Sequence, residues 1–123
     1  VNAAARVAHD LGKYVGFEVA WCGPDAPALV LREALRNDLL HTRRDPSGSV
    51  GAVALWAELR AALGEEAGAP EVAAIDAAME AVAAGLPALD AEPPEPLALA
   101  ALAAAAEDVR RSCYAWAERT RRS

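Results

Sequence analysis

The sequence predicts an all-α fold, an antiparallel four-helix bundle with four to five helical segments in all. Three observations point there. Composition is 54% hydrophobic but only 5% aromatic, and alanine dominates. That balance suits helices packed closely through small side chains better than a sheet core of β-branched residues. Apolar residues recur at alternating steps of three and four along most of the chain, the period of a helix with one buried face. Between those stretches lie Gly, Pro, Asp and Ser, the residues that start and stop helices. At 123 residues the chain reads as one domain, 1–123, with a single core.

The first helix is predicted from Asn2 to Trp21. Asn2 is suited to cap its N-terminus, and Cys22-Gly23-Pro24 ends it with glycine followed by proline. Ala4, Val7, Leu11, Val15 and Cys22 form its apolar stripe, with Ala8, Tyr14, Val19 and Trp21 along the margins. Asp25 is placed to cap a second helix with Pro27 in its first turn. That helix carries Leu31, Leu35 and Leu39 on one face and ends near Arg43 or Arg44. So short a link makes the two helices an antiparallel hairpin.

Asp45-Pro46-Ser47-Gly48 is a turn by composition. Ser49 then caps a third helix with Val53, Trp56, Leu59 and Leu63 at helical spacing, closed by Gly64. After a loop over 65–69, Pro70-Glu71 opens a fourth helix whose stripe is Val72, Ile75, Met79, Val82 and Leu86. Asp90-Ala91-Glu92-Pro93-Pro94-Glu95-Pro96 reads as an extended acidic connector, because successive prolines remove donors and block the preceding turn. The last helix, about Leu97 to Arg121, has the cleanest repeat: Leu99, Leu102, Ala106, Val109, Cys113 and Trp116.

The formal net charge of −6 argues against a nucleic-acid partner. The arginines near the C-terminus (Arg110, Arg111, Arg119, Arg121 and Arg122) are accounted for by the negative end of the last helix dipole. No apolar run approaches the ~20 residues of a membrane span, and no signal-peptide pattern opens the chain. Cys22 and Cys113 fall on apolar stripes and read as buried thiols in a reducing compartment. The expectation is therefore a cytoplasmic chain with no membrane partner.

One stretch carries chemistry. On a helix of ~100° per residue, His9 falls nearly opposite Leu11 and so points away from the core. Arg6 and Lys13 flank it with positive charge, and Gly12 and Gly16 keep the nearby surface low. Each glycine inside a helix costs roughly 1 kcal/mol relative to alanine, so the pair suggests a close approach by a partner's surface. A phosphoryl-accepting histidine needs an exposed ring nitrogen, an acid to orient the ring and cations to stabilise the phosphoryl oxygens. His9, Asp10, Lys13 and Arg6 are the residues of the required types.

Ala8-His9-Asp10-Leu11 resembles the H-box of sensor histidine kinases, in which an acidic residue follows the phosphoacceptor histidine. The nearby Gly-Lys pair is similar to the His-x-Leu-Lys-Gly pattern of histidine-containing phosphotransfer domains, which are four-helix bundles of about this size. The likeness covers about eight residues. Here the order is Gly12-Lys13, the reverse of the phosphotransfer pattern, and the Asn, Pro or Thr usual after the H-box is missing. The Asn- and Gly-rich boxes of an ATP-binding kinase domain are also missing, which excludes autophosphorylation by this chain alone. The resemblance implies that His9 accepts a phosphoryl group from a receiver-type or kinase protein, with Asp10, Lys13 and Arg6 assisting and Gly12 and Gly16 meeting the partner.

Two other placements are weighed. Glu18 projects into the first helix's apolar stripe, where Arg32 or Arg36 of the hairpin helix would neutralise it, unless the helix end is wet. Asp38 and His41 stand at i, i+3, a spacing that can serve one metal, but matching Glu-x-x-His sets on other helices are missing, so a polar helix end is the plainer reading. No phosphate loop, Ser-His-Asp arrangement or nucleotide fingerprint is present, and neither a metal nor a cofactor is called for. The alternative to phosphotransfer is a non-catalytic helical interaction domain that binds a protein or forms a homodimer.

Overall fold

A computed structural model describes residues 2–122, so the outermost residue at each end of the expected 1–123 domain lies outside the described residues. The chain is mostly helical. Its elements in order are α1 (Ala3–Val7), a π-helical turn (Ala8–Gly12), α2 (Phe17–Cys22), α3 (Ala28–Leu40), β1 (Arg43–Asp45), β2 (Gly48–Val50), α4 (Ala52–Ala61), a 3-10 turn (Gly64–Gly68), α5 (Pro70–Gly85), a second 3-10 turn (Leu86–Asp90) and α6 (Pro96–Arg121).

The long final helix is the centre of the packing. α6 lies against α5 most extensively and also against α1, the π turn and α3. Glu71 at the start of α5 meets Arg119 near the end of α6, at 2.6 and 2.7 Å. Gly85 at the end of α5 lies against Leu102 in the early turns of α6, so the two helices run antiparallel. All six residues of the α6 stripe (Leu99, Leu102, Ala106, Val109, Cys113 and Trp116) are buried, as are Val72, Ile75, Met79 and Val82 of α5. Asp76 accepts from the Trp56 indole at 2.8 Å and from Arg60 at 2.9 Å, tying α4 to α5. The Arg60 guanidinium, then the Trp56 donor, hold the Asp76 carboxyl below its ordinary range against the opposing effect of burial.

The first helix departs most from expectation. Asn2 caps it as predicted, accepting the Ala5 amide at 2.8 Å. The continuous helix to Trp21 is broken, however. The Lys13 amide reaches back five residues to the Ala8 carbonyl at 2.8 Å, the widened bond of a π turn. At Gly16 the backbone then enters the left-handed region, φ +86°, where only glycine is free of a Cβ penalty. A separate helix, α2, follows, and none of its six residues is fully buried.

Other boundaries shift for local reasons. α3 stops at Leu40, and Arg43 and Arg44 enter a short antiparallel hairpin, Arg43 opposite Val50 and Asp45 opposite Gly48. The Asp45 carboxylate nucleates its turn by accepting from the Ser47 amide and hydroxyl at 3.0 and 2.5 Å. Ser49 therefore lies in a strand instead of capping a helix, and Gly51 occupies the N-cap of α4. Pro27 takes the N-cap position of α3 in place of Asp25. Val53 is exposed and Leu55 takes the core position beside Trp56. Cys22 is only half-buried, while Cys113 is fully buried, and both thiols are free.

The expectation that no stretch has the length and composition of a membrane span fails at Pro70–Asp90, 21 residues that include an 18-residue window with a mean hydropathy of 1.5. Its apolarity comes largely from alanine. Here its large side chains point into the core and Asp76 is tied to Arg60.

Candidate functional site

The π turn, the end of α3 and strand β1 enclose a cleft of about 570 Å³. His9, Asp10 and Tyr14 line one wall, Asp38 and His41 the second, and Arg43 and Arg44 the lip. Both histidines of the chain thus face one space.

His9 sits on the π turn with its side chain 70% exposed. Its Nδ1 lies 2.9 Å from Asp10 Oδ1. With Asp10 ionised, Nδ1–H donates and the lone pair is left on Nε2, which has no hydrogen-bond partner among the described residues. Lys13 is exposed, its ammonium 5.6 Å from the centre of the Tyr14 ring. Arg6 is exposed and makes no side-chain hydrogen bond or ion pair among the described residues.

The glycines are a correction. Gly12 and Gly16 are both buried, so neither forms an open landing surface. A Cβ on Gly12 would lie 2.8 Å from Cys113 Cβ of α6, and one on Gly16 would lie 3.8 Å from Arg110 Cδ. Gly12 lets α6 approach, and Gly16 turns the chain. The open surface beside His9 is the cleft itself.

Asp38 has a structural task that its spacing from His41 does not suggest. It is only 4% exposed, and its two oxygens accept the Glu18 and Val19 amides, each at 3.1 Å. It therefore caps the N-terminus of α2 from across the hairpin. Burial pushes its carboxyl up to about 6, with the Glu18 charge adding to the rise and the two amides opposing it. Both Asp38 oxygens are thus turned to the α2 amides. Among the described residues no group of three or more His, Cys, Asp or Glu is arranged to hold a metal ion.

Neither arginine pairs with Glu18. Arg36 donates to the Leu89 carbonyl at 2.6 Å, and Arg32 to the Ala91 carbonyl at 3.2 Å and to Glu92 at 2.8 Å. They tie α3 to the connector before α6. Glu18 is half-buried, and its side chain has no hydrogen bond or ion pair among the described residues. Arg43 is held by Glu58 at 3.3 Å and Arg44 by Asn37 at 2.7 Å, both at exposed positions.

By sequence, His9-Asp10, Glu18 and Asp38-His41 are separate candidates, whereas in the folded chain one cleft brings them together. The signal for this lay in the short link at Gly23–Pro27, because an antiparallel hairpin sets the early part of the first segment beside the end of the second. No family model matches the chain, and neither does any curated protein or solved structure.

Proposed function

We propose that this chain is a histidine-containing phosphotransfer-like signalling domain in which His9 accepts a phosphoryl group from a receiver-type or kinase protein. On this reading the broken first segment, α3, α5 and α6 are the members of an antiparallel four-helix bundle. The observation that supports it is the exposed His9 ring, anchored at Nδ1 by Asp10 at 2.9 Å with Nε2 unengaged. The Nε2 lone pair attacks phosphorus of an acyl phosphate on the partner. The N–P bond forms as the P–O bond breaks, and the partner's carboxylate leaves. The ring keeps its Nδ1 proton and gains positive charge, which Asp10 stabilises. Lys13 and Arg6, the cations nearest in sequence, offset the charge on the phosphoryl oxygens. A π turn beneath the acceptor agrees with the frequent occurrence of such turns at functional sites.

The test uses phosphoramidate and, separately, a receiver domain charged with acetyl phosphate. The expected result is one acid-labile phosphoryl group on His9, absent from His9→Gln and slower to form in Asp10→Asn. Failure of both donors to label the protein, or label that persists in His9→Gln, refutes the assignment. A second reading, a non-catalytic interaction or dimerisation domain, is favoured by one observation: Phe17, Trp21, Leu29 and Val30 form an exposed apolar surface on the α2–α3 hairpin.

A further inference from the structure

Beside the histidine cleft, α2 and α3 frame an open groove of about 740 Å³. Its apolar lining includes Phe17, Trp21, Leu29 and Val30, which are 49%, 79%, 61% and 49% exposed. Soluble domains seldom leave so many large apolar side chains together without a use. Among the described residues, the only charged ones lining the groove are Glu18 and Glu33. Glu18 has no side-chain partner among the described residues, and Glu33 has only a loose contact with Arg36 at 3.7 Å.

We propose that this groove docks an amphipathic helix of a partner protein whose apolar face is flanked by Lys or Arg. The charge pattern selects this occupant over a second copy of the chain. Symmetric pairing of two α2–α3 hairpins would set the Glu18 and Glu33 carboxylates of both copies around one apolar contact, with no cation lining it. A basic-flanked helix buries the same apolar surface and neutralises both acids. Trp21, an aromatic side chain projecting from the rim, is the anchor. Groove and cleft share Phe17, Glu18 and Asn37, so a helix seated in the groove ends beside the space that His9 faces. The proposal stands on the groove's surface and not on the chemistry of His9.

The probe is a synthetic leucine-rich helical peptide, free of aromatic residues, with lysines flanking its apolar stripe. Trp56 and Trp116 are buried, so a change in tryptophan emission reports mainly Trp21. Binding is expected to be saturable, to shift that emission to the blue and to weaken as salt rises. Trp21→Ser, at a site exposed enough to leave the fold intact, removes the shift and weakens binding about tenfold or more by anisotropy of labelled peptide. Glu18→Gln with Glu33→Gln weakens binding several-fold and flattens its salt dependence. The same peptide with glutamates in place of lysines binds about tenfold more weakly. Equal affinity for both peptides, binding that survives Trp21→Ser, or a solution dimer that Trp21→Ser dissociates would each overturn the proposal.

Discussion

The first segment and α6 share a pattern of apolar spacing and end as different structures. Both carry an apolar stripe at helical spacing, and each is predicted as a single helix of about twenty residues or more. α6 remains one helix from Pro96 to Arg121 with its whole stripe buried. The first segment keeps its fully buried stripe only as far as Val15, turns at Gly16 and delivers α2 with Phe17 and Trp21 exposed and only Val19 packed in part against the core. The comparison teaches that a periodic stripe measures what a helix is able to bury, while a single left-handed residue decides where burial stops. In this chain His9 and one side of the apolar groove, Phe17 and Trp21, belong to the interrupted segment.

The largest test of that contrast uses the tryptophans. Trp116→Ala removes a buried side chain from α6 and is expected to cost about 3–5 kcal/mol. Trp21→Ala removes an exposed one from α2 and is expected to change stability by less than about 0.5 kcal/mol. Urea unfolding followed by circular dichroism measures both. Equal effects would mean that α2 is packed as firmly as α6.

The glycines sharpen the comparison. Gly12→Ala drives a Cβ into Cys113 Cβ, so a loss of about 1–3 kcal/mol is expected in spite of alanine's better helix propensity. Gly16→Ala has room for its methyl but must hold φ near +86°, at a cost of about 1–2 kcal/mol. Partial rescue by Cys113→Gly should therefore occur in the first variant and not in the second. Thermal melts of the single and double variants decide this.

Asp38 sets a pH dependence with a definite sign. Its carboxyl is raised to about 6 in the folded chain, above the ordinary value of 3.8, so the folded state holds its proton more tightly than the unfolded one. The stability contributed by this group is full below about pH 4 and is lost as pH rises through about 6. Glu71 and Asp76, whose carboxyls are lowered by Arg119 and Arg60, contribute the opposite slope. Their contribution is common to the native chain and to Asp38→Asn, so it cancels in the difference between them. Relative to Asp38→Asn, the native chain should lose stability between about pH 4 and pH 6. Parallel urea midpoints for the two proteins across that range would refute the assignment.

The smallest effect concerns the thiols. Burial pushes the Cys113 thiol up to about 12, while Cys22 is half-buried at the edge of the groove. Only the thiolate reacts readily. Iodoacetamide should therefore modify Cys22 in the native protein and reach Cys113 only after unfolding, as peptide mass mapping would show.

Much of the fold was legible because it depends on neighbours in sequence. The α5 and α6 stripes, the Asn2 cap, the proline start of α5 and the glycine after α4 all follow from rules that reach no farther than one or two helical turns. The hairpin at Arg43–Val50 was missed because its strands are only three residues long, too short for alternation to stand out. At the site, the exposed His9 beside Asp10 was legible from helical angle alone. The burial of Gly12 and Gly16 was not, because it comes from Cys113 and Arg110 of α6, about a hundred residues away in sequence.

By itself the sequence determined that the chain is helical, where its most regular helices run and that His9 points away from the core. Tertiary structure alone decided that Gly12 would lie on Cys113, that Asp38 would cap α2 across the hairpin and that His9 and His41 would face one cleft. The reason is one of range. Helical hydrogen bonds and periodic burial act between residues a few positions apart, whereas a cap or close approach between distant segments exists only once packing on α6 has brought them together.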